Sequence, residues 1–402
     1  MTKSRHRLLT GLVLTLLLSL LLAGCNDAPT PKKTLEYNPA EVVFSVNDHA
    51  KLDEVLSSYN LELSGALLVP NSYVGETRGE DARQLSYRMR QDSRVENADP
   101  NLILKANPTN FGLDGSNFSF DASSVINGTS QSSDSGYTTA QTQWAWQKIN
   151  LSAIQPINKG AGVTVAVLDT GVNYNHQDLK GHVLTGYDAI TGAANGNDVN
   201  GHGTFVAGVI LQIAPQVTIL PVRVLDASGN GTLSSVVNGL QYAVNQHAAI
   251  ANLSFSSATD SNWLHNAVQN ARSNGMTVVD SAGNEGVSDY YYPAAYSETI
   301  GVSATDQSDY RADFANYSSY IQLSAPGVTI YSMYYQGGYG WANGTSFSTP
   351  MVVGGLALMK SLHPDYTPDK LKRSIKNAID KFPSDCSCSG MGIGRLNLAK
   401  VR

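Results

Sequence analysis

The stretch Val165-Ala-Val-Leu-Asp-Thr-Gly171 decides the architecture of this 402-residue chain. An apolar run leads straight into a carboxylate, Asp169, and then into a glycine that permits a sharp turn. A strand that is apolar at nearly every residue, rather than at every second one, is covered on both faces, as in a parallel sheet. The run begins at Val163, and runs of the same kind recur at Val217 to Leu225, Ala248 to Phe255, Met276 to Val279 and Thr299 to Ser303. Between them lie segments of helical spacing: Thr232 to Asn245, and Asn262 to Ser273, which is followed by the stop signal Asn274-Gly275. Alternating strand and helix signals predict an α/β fold with a largely parallel sheet over residues 141–402. Sites in such folds form at the carboxyl ends of strands, where Asp169 falls.

Two further motifs bear on chemistry. In Gly201-His-Gly-Thr-Phe-Val-Ala-Gly208, small residues follow His202 and would let a helix lie close to the sheet. An imidazole fixed at the start of that helix can act as a general base. In Asn343-Gly-Thr-Ser-Phe-Ser-Thr-Pro350, an apolar run from Met351 to Leu362 reads as a buried helix, with Pro350 near its start, where N–H groups lack helical partners. Ser346 then lies at or just before the helix N-terminus, where free N–H groups favour developing negative charge. Each motif alone is weak. Asp-Thr-Gly also occurs in aspartic proteases, a solitary His is more often structural, and Ser346 or Thr345 could simply cap a helix.

Together, Asp169, His202 and Ser346, in that order and each in a glycine-flanked motif, resemble the subtilisin-like serine proteases (peptidase S8 family) over about Gln143 to Asn397. Other Ser-His-Asp folds use different chain orders, and subtilisin itself is the reference case for this one. The resemblance implies a three-layer fold and a serine endopeptidase acting on protein or peptide substrates through an acyl-enzyme. Ser281-Ala-Gly-Asn-Glu-Gly286 resembles the family's oxyanion segment, which makes Asn284 the expected oxyanion donor. A lipase or esterase would instead show Gly-x-Ser-x-Gly on a nucleophile elbow.

Three departures from the family pattern stand out. The segment Gly208 to Pro215 lacks the loop that helps many subtilisins bind calcium. Asp178 matches one carboxylate ligand of that site, but no calcium is expected there; calcium at another site stays open, and no cofactor is required. The substrate strand reads Ser254-Phe-Ser-Ser257 instead of Ser-Leu-Gly-Gly. Tyr291 also falls where a glycine often forms the base of the pocket for the residue before the scissile bond. Ser254, Phe255, Ser256, Ser257 and Tyr291 are therefore expected to narrow that pocket. Finally, Asp280 and Ser281 replace small apolar residues, and the sequence offers no account of Asp280.

The N-terminal part divides further. Lys3, Arg5 and Arg7 precede an apolar run from Leu8 to Leu22, too short to span a bilayer comfortably. It ends in Leu22-Ala23-Gly24-Cys25, which resembles a bacterial lipobox. This predicts a signal peptide over 1–24, lipidation and membrane attachment at Cys25, and a tether over 25–34. An ordinary signal peptide with an incidental Cys is the alternative, and either reading exports the protein. Residues 35–105 show strand signals at Glu41 to Val46 and Leu63 to Val69, helix signals at Ala50 to Tyr59 and Glu80 to Arg90, and a final turn and strand from Arg94 to Leu104. This small α+β unit resembles the ferredoxin-like propeptide of the family, an intramolecular inhibitor. Residues 106–140 have the Ser, Asn and Gly content of a cleavable linker.

Hydrophobic residues make up 42% and charged residues 15% of the chain, so a large core is feasible. A net charge of −6, without a long basic run, gives no footprint for nucleic acid. Besides Cys25, the only cysteines are Cys386 and Cys388, which form either two thiols or a tight disulfide in a surface loop. They suggest no metal site.

Overall fold

The computed structural model describes residues 36–106, 111–113, 116–118 and 143–401. The apolar leader, Cys25, the tether and most of the linker lie outside these residues. The chain from Glu36 to Arg402 forms one compact unit.

Its N-terminal part runs β1 (Tyr37–Val46), α1 (Leu52–Ser58), β2 (Leu61–Ala66), β3 (Ser72–Thr77), α2 (Ala82–Met89) and β4 (Val95–Ala106). The strands form an antiparallel sheet in the order β4-β1-β3-β2. Strand β3 is not foreseen in the sequence. The strand expected over Leu63 to Val69 stops at Ala66, because Leu67 to Asn71 turns the chain back, with the Leu67 N–H donating to the Ser72 carbonyl. Asn71 takes a left-handed φ of 54° in that turn. Gly75 breaks the apolar pattern of β3 because the Phe44 ring covers it; a Cβ there would lie 3.2 Å from Cε1 of Phe44.

The C-terminal part carries β5 (Thr164–Asp169), α3 (His202–Ile213), β6 (Thr218–Arg223), α4 (Leu233–Asn245), β7 (Ile250–Leu253), α5 (Asn262–Ser273), β8 (Thr277–Ser281), β9 (Ile300–Thr305), β10 (Ile321–Pro326) and α6 (Thr345–Leu362). The main strands pair in parallel in the order β10-β9-β8-β7-β5-β6. Short strands extend both edges, and only the outermost pair, Ile379–Asp380 with Arg395–Leu396, is antiparallel. Helices α3 and α6 pack on one face, with Val206, Ile210, Val352 and Leu356 in the core. Helices α4 and α5 pack on the other, together with the N-terminal sheet. The α/β fold with a largely parallel sheet is thus as expected, and α5 has the expected bounds.

Two features position the site. The strand order reverses at β5, since β6 lies on one side of it and β7 on the other; crevices for ligands open at such switch points, at the strands' carboxyl ends. Asp169 is the last residue of β5. In addition, the end of β4 inserts between two segments of the C-terminal part. Ile103 to Lys105 pairs antiparallel with Asn230–Thr232, and Lys105 and Ala106 pair antiparallel with Ser256 and Phe255.

One boundary differs from expectation. Helix α6 starts at Thr345, not at Met351, so Pro350 lies inside it. The small polar residues of the first turn read as a cap in sequence, but all of them are buried and helical. Cys386 and Cys388 form a disulfide. Among the described residues, no helix is long and apolar enough to cross a membrane.

Candidate active site

Asp169 is fully buried, and both its carboxylate oxygens lie against Nδ1 of His202, at 2.8 and 2.9 Å. The Thr170 N–H also donates to Oδ1 at 2.7 Å. Gly203 makes this approach possible: a Cβ there would lie 2.1 Å from the Gly171 carbonyl oxygen and 3.0 Å from Cβ of Asp169. Gly171 has a φ of +105°, a conformation that favours glycine, and turns the chain away immediately after the carboxylate.

His202 is the first residue of α3. A second carboxylate, Asp198, holds this end of the helix. It accepts from the Gly201 N–H at 2.8 Å, the Thr204 N–H at 2.9 Å and the Thr170 hydroxyl at 2.8 Å. Sequence reasoning missed Asp198. The available signal was a capping-type residue a few positions before a helix start. The imidazole ring packs against Phe347, with centroids 5.5 Å apart. Burial disfavours its charge, but the Asp169 carboxylate more than offsets this and, with Asp198 beyond it, raises the pKa above the ordinary 6.5. Nε2 is buried and has no hydrogen-bond partner.

Ser346 is the second residue of α6 and is fully buried. Its Oγ lies 3.3 Å from the Ser254 carbonyl oxygen. Phe347, next in sequence, packs on Phe205 of α3 at 4.5 Å between centroids. That contact clamps together the two helices bearing His202 and Ser346. Burying rings of this size contributes about 1.5–3 kcal/mol each.

Asn284 follows β8. Its Oδ1 accepts from the Thr345 N–H at 2.9 Å and from the Thr345 hydroxyl at 2.8 Å. The amide is thereby oriented, and its Nδ2 is buried with no partner. The loop is shaped by Asn316, another residue that sequence reasoning missed. Its Oδ1 accepts from the N–H groups of Glu285 and Val287, and its Nδ2 donates to the Ala282 carbonyl at 3.0 Å. Gly283 is required beside it, since a Cβ at its φ of +103° would lie 2.2 Å from Asn316 Nδ2.

The expected pocket residues divide. Ser254 Oγ donates to the Ser346 carbonyl, Phe255 belongs to the core cluster shared with Leu102 and Leu104, and Ser257 Oγ accepts from the Thr259 N–H. Ser256, also buried, pairs through its backbone with Lys105. Tyr291 is half-buried; burial first, then the nearby Glu285, Asp289 and Glu36, push its hydroxyl up to about 12. Asp178 accepts from the Tyr339 hydroxyl. Asp280, at the end of β8, is fully buried, and its carboxylate oxygens have no partner in hydrogen-bond geometry. Burial raises its pKa well above 3.8, although the N–H groups of Ser281, Ala294 and Phe255 face it and oppose the shift.

Comparison with known proteins places these features in a context. Residues 160–394 match the subtilase family, Peptidase_S8. Thermitase of Thermoactinomyces vulgaris is 38% identical over 273 residues, covering 64% of this chain and 95% of thermitase. Subtilisin Savinase of Lederbergia lenta is 40% identical over 234 residues, covering 56% of this chain and 86% of that protein. The crystal structure of a cold-adapted subtilisin-like serine proteinase superposes with a TM-score of 0.57 at 37% identity, covering 60% of this chain and 90% of the other. That of fervidolysin from Fervidobacterium pennivorans superposes with a TM-score of 0.72 at 23% identity over 91% of this chain and 61% of the other, a likeness of fold.

Proposed function

The chain belongs to the subtilase family and is a serine endopeptidase, and from that premise we propose that Asp169, His202 and Ser346 are its catalytic residues and Asn284 its oxyanion donor. The observation that carries this reading is the arrangement around His202. Nδ1 is held by a buried carboxylate, while Nε2 is buried and unpartnered. A neutral imidazole with Nδ1–H tied to Asp169 presents a free lone pair on Nε2. Ser346 Oγ leaves the Ser254 carbonyl, gives its proton to Nε2 and attacks the scissile carbonyl. Asp169 stabilises the imidazolium without taking its proton. Negative charge develops on the carbonyl oxygen, where Asn284 Nδ2 and the first-turn N–H of Ser346 can donate. His202 then protonates the leaving amine, and water activated by the same imidazole hydrolyses the acyl-enzyme. Ser346→Ala should abolish casein hydrolysis while leaving the folded unit intact; retained hydrolysis by that variant would refute the assignment.

Substrate is read as an extended strand beside Ser254 to Ser257, since added strands pair through backbone groups. With Ser254, Phe255 and Ser257 engaged elsewhere, narrowing of the pocket rests above all on Tyr291. The preferred residue before the scissile bond is therefore small.

The N-terminal α+β part is read as the propeptide and intramolecular inhibitor. Its support is the end of β4, which pairs with Phe255 and Ser256 as a substrate strand would. Its side chains also bond at the starts of both surface helices that it covers. Asn101 Oδ1 accepts from the Ser234 N–H at the start of α4, and Asp99 accepts from the Ser261 hydroxyl before α5. Cleavage after Ala106, within residues 106–142, would separate this part from the peptidase. Export and lipid attachment at Cys25 complete the reading, so that the anchor stays with the propeptide. Fractionation of wild type and Ser346→Ala tests it: the variant should remain a single membrane-bound chain, while wild type releases a shorter soluble product. Identical size and retention of both would overturn autoprocessing.

A further inference from the structure

Pro350 is the fourth residue after Ser346, and both lie in α6. A helix ordinarily satisfies the carbonyl of residue i with the N–H of residue i+4. Proline has no N–H, and its ring crowds that same carbonyl. The carbonyl of Ser346 is therefore left without its helical donor, in a fully buried setting where an unpaired acceptor is unfavourable.

The vacancy is filled from outside the helix. Ser254 Oγ donates to the Ser346 carbonyl at 3.2 Å. Asn252 Nδ2 donates to Ser254 Oγ at 3.1 Å. A hydroxyl has one proton to give, so a donor on one side leaves that proton for the acceptor on the other. In return, Ser346 Oγ lies 3.3 Å from the Ser254 carbonyl. Ser254 and Asn252 are both fully buried, so water does not substitute for this clasp from the surface.

We propose that Ser254 is a positioning residue for the reaction at Ser346: its hydroxyl replaces the helical hydrogen bond that Pro350 removes and holds the peptide plane that follows the nucleophile. That plane sets ψ of Ser346, and with it the direction of the Cα–Cβ bond that aims Oγ. The nucleophile is thereby keyed to the segment on which substrate lies, rather than to the axis of its own helix. A shift of the Ser254 segment on substrate binding would carry Ser346 with it. The inference rests on the reading of Ser346 as nucleophile.

The test is a four-member cycle in the full chain: wild type, Ser254→Ala, Pro350→Ala and the double variant. Hydrolysis of a peptide p-nitroanilide is followed, with active sites counted by burst titration so that rates refer to competent enzyme. Alanine at position 350 restores an N–H that can donate to the Ser346 carbonyl. With Pro350 in place, Ser254→Ala should lower kcat about tenfold, equal to about 1.4 kcal/mol, with KM within about twofold. In the Pro350→Ala background, the same change should lower kcat by less than about threefold, because the carbonyl has a second donor. Equal losses in both backgrounds, or no loss from Ser254→Ala alone, overturn the proposal. Should Ser254→Ala fail to fold, Ser254→Cys keeps the shape with a weaker donor and carries the same comparison. Ser346→Ala, run in parallel, separates the two readings. If it stays active, the nucleophile assignment falls; if it is inactive but the loss at Ser254 ignores position 350, only the role of Ser254 falls.

Discussion

Replacing Asn284 by Ala removes one hydrogen bond that the resting enzyme does not make, together with the two that Oδ1 accepts from Thr345. The Asn284 carbonyl oxygen is occupied twice by Thr345, while Nδ2 is buried and unpartnered. Losing Nδ2 itself breaks nothing in the free enzyme, and losing Oδ1 costs the two bonds to Thr345, which fall on stability and are read by the folding check. Its partner exists only once the substrate carbonyl has become an oxyanion, so the loss should fall on kcat and leave KM within about twofold. Removing such a donor lowers kcat by about 10²–10³, or about 2.7–4 kcal/mol, a range whose reference case is subtilisin's own asparagine rather than a quantity worked from this chain. What this structure adds is a graded control. Thr345→Val deletes one of the two bonds that aim the amide but keeps the Thr345 N–H. A neutral hydrogen bond contributes about 0.5–1.5 kcal/mol, so this change should lower kcat only about 2- to 12-fold. In an Asn284→Ala background it should have almost no effect, because there is no amide left to aim. The assay is steady-state hydrolysis of a peptide p-nitroanilide, with folding checked by circular dichroism. A loss below about fivefold for Asn284→Ala, or a rise in KM that accounts for it, would refute the reasoning.

Three further outcomes are expected. A general base works only when unprotonated, and the Asp169 carboxylate raises the His202 pKa despite burial; kcat/KM should fall as pH drops through a value above 6.5, and a rate unchanged down to pH 4.5 would exclude a histidine base. Asp280 binds its proton more tightly folded than unfolded, so its contribution makes stability fall as pH rises from about 3.8 through the raised folded value; Asp280→Asn should flatten that fall in urea midpoints measured across pH, and an unaltered pH dependence would show that Asp280 is not the titrating group. A peptide library should reveal a preference for small residues before the scissile bond and a shift toward larger ones in Tyr291→Gly, whereas a wild-type preference for Phe or Leu would remove the narrowed pocket.

The sequence determined by itself what depends on local pattern. Uninterrupted apolar runs specified a sheet covered on both faces, and helical spacing specified α5 between Asn262 and Ser273. The order of Asp169, His202 and Ser346, each beside glycine, pointed to the family, because close approach of backbone segments admits no side chain there. Tertiary structure alone decided what depends on distant segments meeting. Asn316 is an ordinary polar residue in sequence and becomes a support of the site only where folding brings the N–H groups of Glu285 and Val287 to it, while Asp198, whose N–H partners Gly201 and Thr204 are local, is tied to the site by the distant Thr170 hydroxyl. The start of α6 could not be read from small polar residues that equally suit a cap. Nor could the partner that Pro350 denies to Ser346, since Ser254 lies 92 residues away in the chain. The stretch around Asp169 thus announced the architecture, and the meeting of β5, β7, α3 and α6 at one end of the sheet made it a site.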